Sequence, residues 1–308
     1  MTAAADRNLE QRLARDIKQA AEAELILNFQ AAEPMEWVEA IDFLVATSEF
    51  EAARFAIRQI LAVRHDLAYA HNVIDVLDRI PEADAETLSF RDDLASEVQI
   101  VRRDGADAVI LVFGDYSHHA GIALSIAHRW FRRLPASLVY LRDFRRLFFR
   151  EGVPTLGAGR EATVAKLREI IRSLGASRVL CFGNSSGAFA ALHYGLDLSA
   201  RTVLSLSGFS RLVFEALPRD LRSNNYRNHP ISKQPIDLRE LYSRVANPPT
   251  ALLFYGDGHP HDRAQAEHMA GIKNAKLVPV ENCATHMVQI ELIRRGAFER
   301  TLRWLCEE

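Results

Sequence analysis

The chain has 308 residues, 38 Lys and Arg against 40 Asp and Glu for a formal charge of −2, and 48% hydrophobic residues. At about 100–200 residues per domain this is one large domain or two modest ones, with enough chain to bury a core and too ordinary a composition for wholesale disorder. It offers no uncharged apolar stretch of about 18 residues for a membrane span, and residues 1–10 lack the basic and apolar regions of a secretory signal, so a cytoplasmic protein is expected.

The near-zero charge is the sum of two unlike parts. Residues 1–100 hold 9 Lys/Arg and 20 Asp/Glu, whereas residues 101–308 hold 29 and 20. This asymmetry predicts two units. Either their solvated surfaces differ, or the acidic one docks on the basic one within or between chains. Residues 6–100 read as helix throughout, rich in Ala, Glu, Leu and Arg and without strand alternation. Asp6 suits the cap of a first helix running to about Phe29, and Pro34 the first turn of a second. Trp37, Ala40, Ile41, Leu44, Phe50, Ala53, Ile57 and Ile60 recur at helical spacing. On these positions residues 36–66 resemble a tetratricopeptide repeat, with His65 in place of the usual late proline. An ordinary helical hairpin has the same pattern. One or two such units cannot bury their apolar faces alone. They must pack on the rest of the chain, or on a second copy or another protein partner through residues 1–100.

From Asp107 onward strand and helix alternate. Six short apolar runs, at 108–113, 137–141, 178–182, 202–206, 251–255 and 276–280, suit strands buried on both faces. Helices are predicted at 119–133, 161–174, 186–194, 262–271 and 289–305. The fold class is therefore α/β: a mostly parallel sheet with helices on both faces, preceded by an all-α helical-hairpin region. In such sheets chemistry lies beyond the carboxyl ends of the strands.

The third run leads into Gly183-Asn184-Ser185-Ser186-Gly187, a G-x-S-x-G pattern between a buried strand and a helix opening on small residues. A nucleophile elbow needs this setting. The serine sits on a tight turn, the glycines let two backbones approach, and the helix N-terminus offers N–H groups to developing negative charge. Ser185 is then the nucleophile and Ser186 supplies a backbone N–H. A glycine-rich turn with capping serines is the plainer reading. Cys181, Cys283 and Cys306 are too few and too scattered for a disulfide framework or a zinc ribbon.

With the elbow and the strand sequence in place, residues 107–308 resemble the α/β-hydrolase family, which keeps the order Ser, acid, His. The resemblance implies a histidine after the last strand, and His286 stands there. It implies an acid after the penultimate strand, in YGDGHPHDRAQ. The family often places an aspartate three residues after the glycine, but that position is His259 here. Asp262 and Asp257 remain. Asp262 has the reach and is favoured, although it also fits a helix N-cap with Gln265 completing a capping box. Asp257 is the alternative acid, or a turn residue. A second oxyanion donor is implied after the first strand, from the backbone of Asp115 or Tyr116.

The sequence thus points to a serine hydrolase that cleaves a small acyl ester, of a small molecule or a glycan, through an acyl-enzyme. The runner-up is an interaction protein that recruits a partner through its helical region. The predicted domains are 1–100 (acidic, helical) and 101–308 (hydrolase), the latter with a lid-like insertion at about 208–249. No cofactor and no metal is expected: the pairs His118/His119 and His259/His261 could bind a metal in principle but read as active-site rim or solvent-exposed loop. The arginines of 129–150 (Arg129, Arg132, Arg133, Arg142, Arg145, Arg146 and Arg150) read as internal pairing and a solvated helix face, or as a basic rim for an anionic substrate. Nothing interleaves aromatics with basic residues in the manner of a nucleic-acid groove.

Overall fold

The computed structural model describes residues 2–28, 34–213 and 224–307. The chain divides into two compact units, Met1–Asp92 with Ile122–Trp130, and Asp93–Gly121 with Phe131–Glu308.

The first unit is helical. It contains α1 (Thr2–Glu22), α2 (Pro34–Ala46), α3 (Phe50–Val63), α4 (Ala68–Leu77) and α5 (Ala85–Ser89). Helix α1 contacts α2 and α3, and α3 contacts α4. It ends at Glu22, short of the expected Phe29, which lies outside the described residues. All eight residues of the Trp37–Ile60 stripe are buried. Within this unit Arg129 lies over the Phe50 ring at 4.8 Å, and Ser125 donates to the Val45 carbonyl. These contacts place the stretch 122–130 with the helices, although its neighbours in sequence belong to the second unit.

The second unit carries the sheet. Its elements are β1 (Val98–Val101), β2 (Ala108–Phe113), β3 (Ala136–Leu141), β4 (Arg178–Asn184), β5 (Thr202–Leu206), β6 (Arg211–Leu212), β7 (Ile236–Asp237), β8 (Thr250–Gly256) and β9 (Ala275–Val280). Helix α6 (Leu124–Phe131) lies almost wholly in the stretch assigned to the first unit. The second unit's helices are α7 (Gly159–Ser173), α8 (Ser186–Asp197), α9 (Asn224–Asn228), α10 (Leu238–Ser243), α11 (Pro260–His268), α12 (Val288–Arg294) and α13 (Phe298–Glu307). Seven strands run in the order β1-β3-β2-β4-β5-β8-β9, all parallel except β1, which is antiparallel to β3. This is a mixed α/β fold with a mostly parallel sheet. β2 and β3 are buried along their whole length, as continuous apolar runs require.

Three elements depart from the sequence expectation. Residues 98–101 form strand β1 rather than helix, so the unit boundary falls at Asp92/Asp93 and not at residue 100. Four residues are too few for alternation to register, and Val98 and Ile100 favour a strand once β3 offers an edge. The helix expected at 119–133 starts at Leu124, because residues 115–121 fold on the Asp115 carboxylate, which accepts the N–H groups of Ser117, His119 and Gly121. The helix expected at 289–305 breaks into α12 and α13 at Gly296, whose φ is +64°.

The 208–249 insertion lies between β5 and β8. Residues 214–223 of it lie outside the described residues. The remainder is tied down. β6 pairs with β7, Gln265 Oε1 accepts from the Ser210 and Arg211 N–H groups, and Arg150 donates to Tyr226 and to the Ile231 and Gln234 carbonyls.

Candidate active site

The parallel register brings four strand ends to one edge of the sheet. β2 ends at Phe113, β4 at Asn184, β8 at Gly256 and β9 at Val280, and each is followed by a loop that carries a predicted site residue.

Ser185 sits between β4 and α8 with φ 52° and ψ −119°. A non-glycine residue held there stores strain of about 1–3 kcal/mol. The surroundings over-determine it. The Ser185 N–H donates to the Leu206 carbonyl, and the Ser185 carbonyl accepts from Ala188. A Cβ on Gly183 would strike the Gly187 carbonyl, and one on Gly187 the Phe113 carbonyl. The two glycines therefore let β4, α8 and β2 converge beneath the serine. Ser186 opens α8, so its N–H has no intrahelical acceptor.

His286 and Asp262 meet Ser185. His286 Nε2 lies 2.9 Å from Ser185 Oγ, and His286 Nδ1 lies 2.9 and 3.0 Å from the two oxygens of Asp262. A carboxylate only accepts, so Nδ1 carries the imidazole proton and Nε2 is left to accept from the hydroxyl. Asp262 is 1% exposed while His286 is partly open to solvent. Asp262 is not the N-cap that its spacing to Gln265 suggested. The cap is His259, and Asp262 stands in the first turn of α11. Asp257 is kept apart from the histidine. Its carboxylate accepts the Cys283 N–H at 3.2 Å and its carbonyl accepts from Arg263. Backbone hydrogen bonds from Asn282, Cys283 and Gly258 outweigh burial, and the Asp257 pKa lies below the ordinary carboxylate value.

Of the two loop donors, Asp115 does not serve as expected. Its N–H is spent on the His119 carbonyl at 2.7 Å, closing the turn. Its side chain organises the loop, and burial raises its pKa against the pull of His119 and three backbone N–H groups. Tyr116 and Ser186 line a cavity of ≈ 10 Å³ together with Asp143, Arg146, Phe148 and Phe149. That volume holds about one water-sized group. The last four residues were not among the predicted site residues. Their only signal was the Arg-rich segment after the second run, and it gave no indication that the chain turns inward through positive φ at Arg146, Phe148 and Phe149.

That segment is largely internal structure. Arg142 is buried and donates to the Asp93, Ser96 and His118 carbonyls. Asp143 accepts the Leu147 and Phe149 N–H groups, and burial raises its pKa. Arg146 stacks over the Tyr116 ring at 4.7 Å. His118 packs edge-on to Phe144, and His261 edge-on to Phe209. Among the described residues, the group whose donor atoms converge as metal ligands would is His259, Asp262 and His286, within 4.8 Å of one another.

No protein-family model and no curated protein matches the sequence. Solved structures with a similar fold include an esterase from Exiguobacterium antarcticum, with a TM-score of 0.46 and 14% identity over 68% of this chain and 95% of that one. A thermophilic esterase from Thermogutta terrifontis gives a TM-score of 0.46 and 16% identity over 68% and 88%. The capsule O-acetyltransferase of Neisseria meningitidis serogroup A gives 0.47 and 12% over 67% and 91%. No described helix is long and apolar enough to cross a membrane.

Proposed function

We propose that the chain is a serine hydrolase that cleaves a small acyl ester, with Ser185 as nucleophile, His286 as general base and Asp262 as the triad acid. The observation that carries this reading is the hydrogen-bonded relay Ser185–His286–Asp262, with both links at 2.9 Å. His286 Nε2 takes the Ser185 proton as Oγ attacks the acyl carbonyl, and Asp262 holds the imidazole and stabilises its positive form. The oxyanion is received by the Ser186 N–H and, from the 114–121 loop, by the Tyr116 N–H. His286 then returns the proton to the leaving alcohol. Water, activated by the same nitrogen, releases the acid from the acyl-enzyme. The cavity beside Ser186 and Tyr116 has room for an oxygen and not for an acyl chain, so the acyl group lies outside it. In this reading residues 208–249 are a lid-like insertion and residues 1–100 a tetratricopeptide-like region.

A fluorophosphonate probe tests the assignment. Wild-type protein is labelled, and Ser185→Ala is not, at unchanged circular dichroism. Equal labelling of both proteins, or none of either, refutes it. A panel of p-nitrophenyl esters tests the substrate class, with the highest kcat/KM expected for acetyl and propionyl and a preference beyond about eight carbons counting against it.

A second reading is favoured by one observation. An apolar cleft of ≈ 140 Å³ in the helical unit is lined by Met35, Trp37, Val38, Ile60, Val63 and Leu67. An interaction protein would use such a cleft. An inert Ser185 in a chain whose biological effect survives Ser185→Ala would favour that reading over catalysis.

A further inference from the structure

His259 Nδ1 faces two groups of Asp262 that ask opposite things of it. His259 Nδ1 lies 3.3 Å from the Asp262 backbone nitrogen and 3.0 Å from Asp262 Oδ1. To cap the helix, Nδ1 must present a lone pair to the N–H. That lone pair then also faces a carboxylate oxygen at hydrogen-bond distance. To donate to the carboxylate, Nδ1 must carry a proton and give up the cap. One nitrogen cannot do both. A cation between Nδ1 and Oδ1 takes up that single lone pair, giving up the cap as a proton would, and turns the facing of nitrogen and carboxylate into attraction.

The second imidazole is already there. The same Oδ1 lies 2.9 Å from His286 Nδ1, and the two rings are 5.7 Å apart. Two imidazole nitrogens and a carboxylate oxygen therefore converge from two elements, the start of α11 and the loop after β9. Both histidines are partly exposed, so an ion can enter from solvent.

We propose that His259, Asp262 and His286 form a binding site for a divalent transition-metal ion, zinc above all, and that the ion switches the enzyme off. The proposal rests on the triad reading for its effect, though not for the binding. Three protein ligands with a fourth position open to water are a common zinc set. Mg²⁺ and Ca²⁺ prefer oxygen ligands and are excluded by two nitrogens. Tetrahedral zinc, with bonds of about 2.0–2.2 Å, sets its ligand atoms about 3.3 Å apart. The two Nδ1–Oδ1 gaps must open from 2.9–3.0 Å by a few tenths of an ångström, and the two imidazole nitrogens, which lie within 4.8 Å of one another, must settle to the same spacing as the rings turn.

Inhibition follows from the tautomer. A neutral imidazole that gives its Nδ1 lone pair to zinc carries its single proton on Nε2. The proton moves between the two nitrogens through solvent, and the count on His286 does not change. Nε2 then faces Ser185 Oγ as a donor and cannot accept the hydroxyl proton. The nucleophile loses its base through a change of tautomer and small displacements of the two rings.

The test uses the full chain, ZnCl2 as the probe and two readouts. Equilibrium dialysis with atomic absorption is expected to find one more zinc ion per chain on Ser185→Ala than on Ser185→Ala/His259→Asn. Asparagine keeps an acceptor for the Asp262 N–H, and His259→Ala replaces it should that variant not fold. In chains that keep Ser185, ZnCl2 is expected to inhibit p-nitrophenyl acetate hydrolysis, MgCl2 to leave it unchanged, and His259→Asn to raise the inhibiting zinc concentration about tenfold or more. Equal zinc binding with and without His259 overturns the proposal, as does full activity at zinc concentrations that fill the site. Zinc bound through His259 in a chain without esterase activity supports the site and overturns the triad reading alone.

Discussion

Asp262 and Asp257 stand five residues apart on one strand-to-helix connection, and chemistry separates them through what each carboxylate already holds. Asp257 accepts a backbone N–H at the turn, and Asp262 faces both nitrogen-bearing rings of the site. Asp262→Asn is expected to lower kcat about 10³–10⁴-fold, because an amide no longer selects the tautomer with Nε2 free to accept. Asp257→Asn is expected to stay within about threefold of wild type, since an amide oxygen still accepts the Cys283 N–H. Initial rates on p-nitrophenyl acetate, with matched thermal melts, distinguish the two. At this scale the meeting of Ser185, Asp262 and His286 was legible from motif, order and reach. The loss of Asp115 as an oxyanion donor was not. It turns on a single N–H closing onto the His119 carbonyl, and no residue pattern announces that bond.

The tight turn at Ser185 is a property of three elements meeting. Gly187 of α8 approaches the Phe113 carbonyl of β2 and Gly183 of β4 approaches Gly187, with no room for a methyl at either place. Gly187→Ala is expected to cost about 1–3 kcal/mol by overpacking against backbone that cannot rotate away. It should also lower fluorophosphonate labelling at Ser185 more than the stability loss explains, because α8 carries the Ser186 N–H. Urea melts alongside labelling rates check both effects. The strands that build this edge were readable as apolar runs, with ends within two residues of those observed. Helix ends were less readable. The Asp115 turn shortened one helix and Gly296 divided another, and both are local hydrogen-bond or φ choices inside stretches whose composition stays helical. β1 escaped notice because an edge strand of four residues draws its pairing from β3 and not from its own periodicity.

The whole molecule carries buried charge-capable groups that the site does not use. His193 of α8 is buried with no partner for Nδ1, and burial, reinforced by Arg160 and Arg150, lowers its pKa to about 3. In the unfolded chain it titrates near 6.5. The unfolded state therefore binds the extra proton between these values, and stability is full above about pH 6.5 and falls as pH drops toward about 3. This residue alone is expected to cost about 2 kcal/mol between pH 7 and pH 5. His193→Leu is expected to remove that part of the loss, read as a smaller shift of the urea midpoint over the same pH interval. An equal shift in both proteins would refute it.

By itself the sequence determined that the −2 charge is the sum of an acidic first third and a basic remainder, that the remainder alternates strand and helix, and that a G-x-S-x-G turn, an aspartate and a late histidine follow its strands in order. Composition, apolar run length and motif spacing are local quantities, and they were enough for this. Only the tertiary structure decided which aspartate faces the histidine, which loop N–H is spent, where the units divide, and that His259 shares the Asp262 carboxylate. Those outcomes depend on distances between residues far apart in the chain, fixed when parallel strands bring their carboxyl ends to one edge.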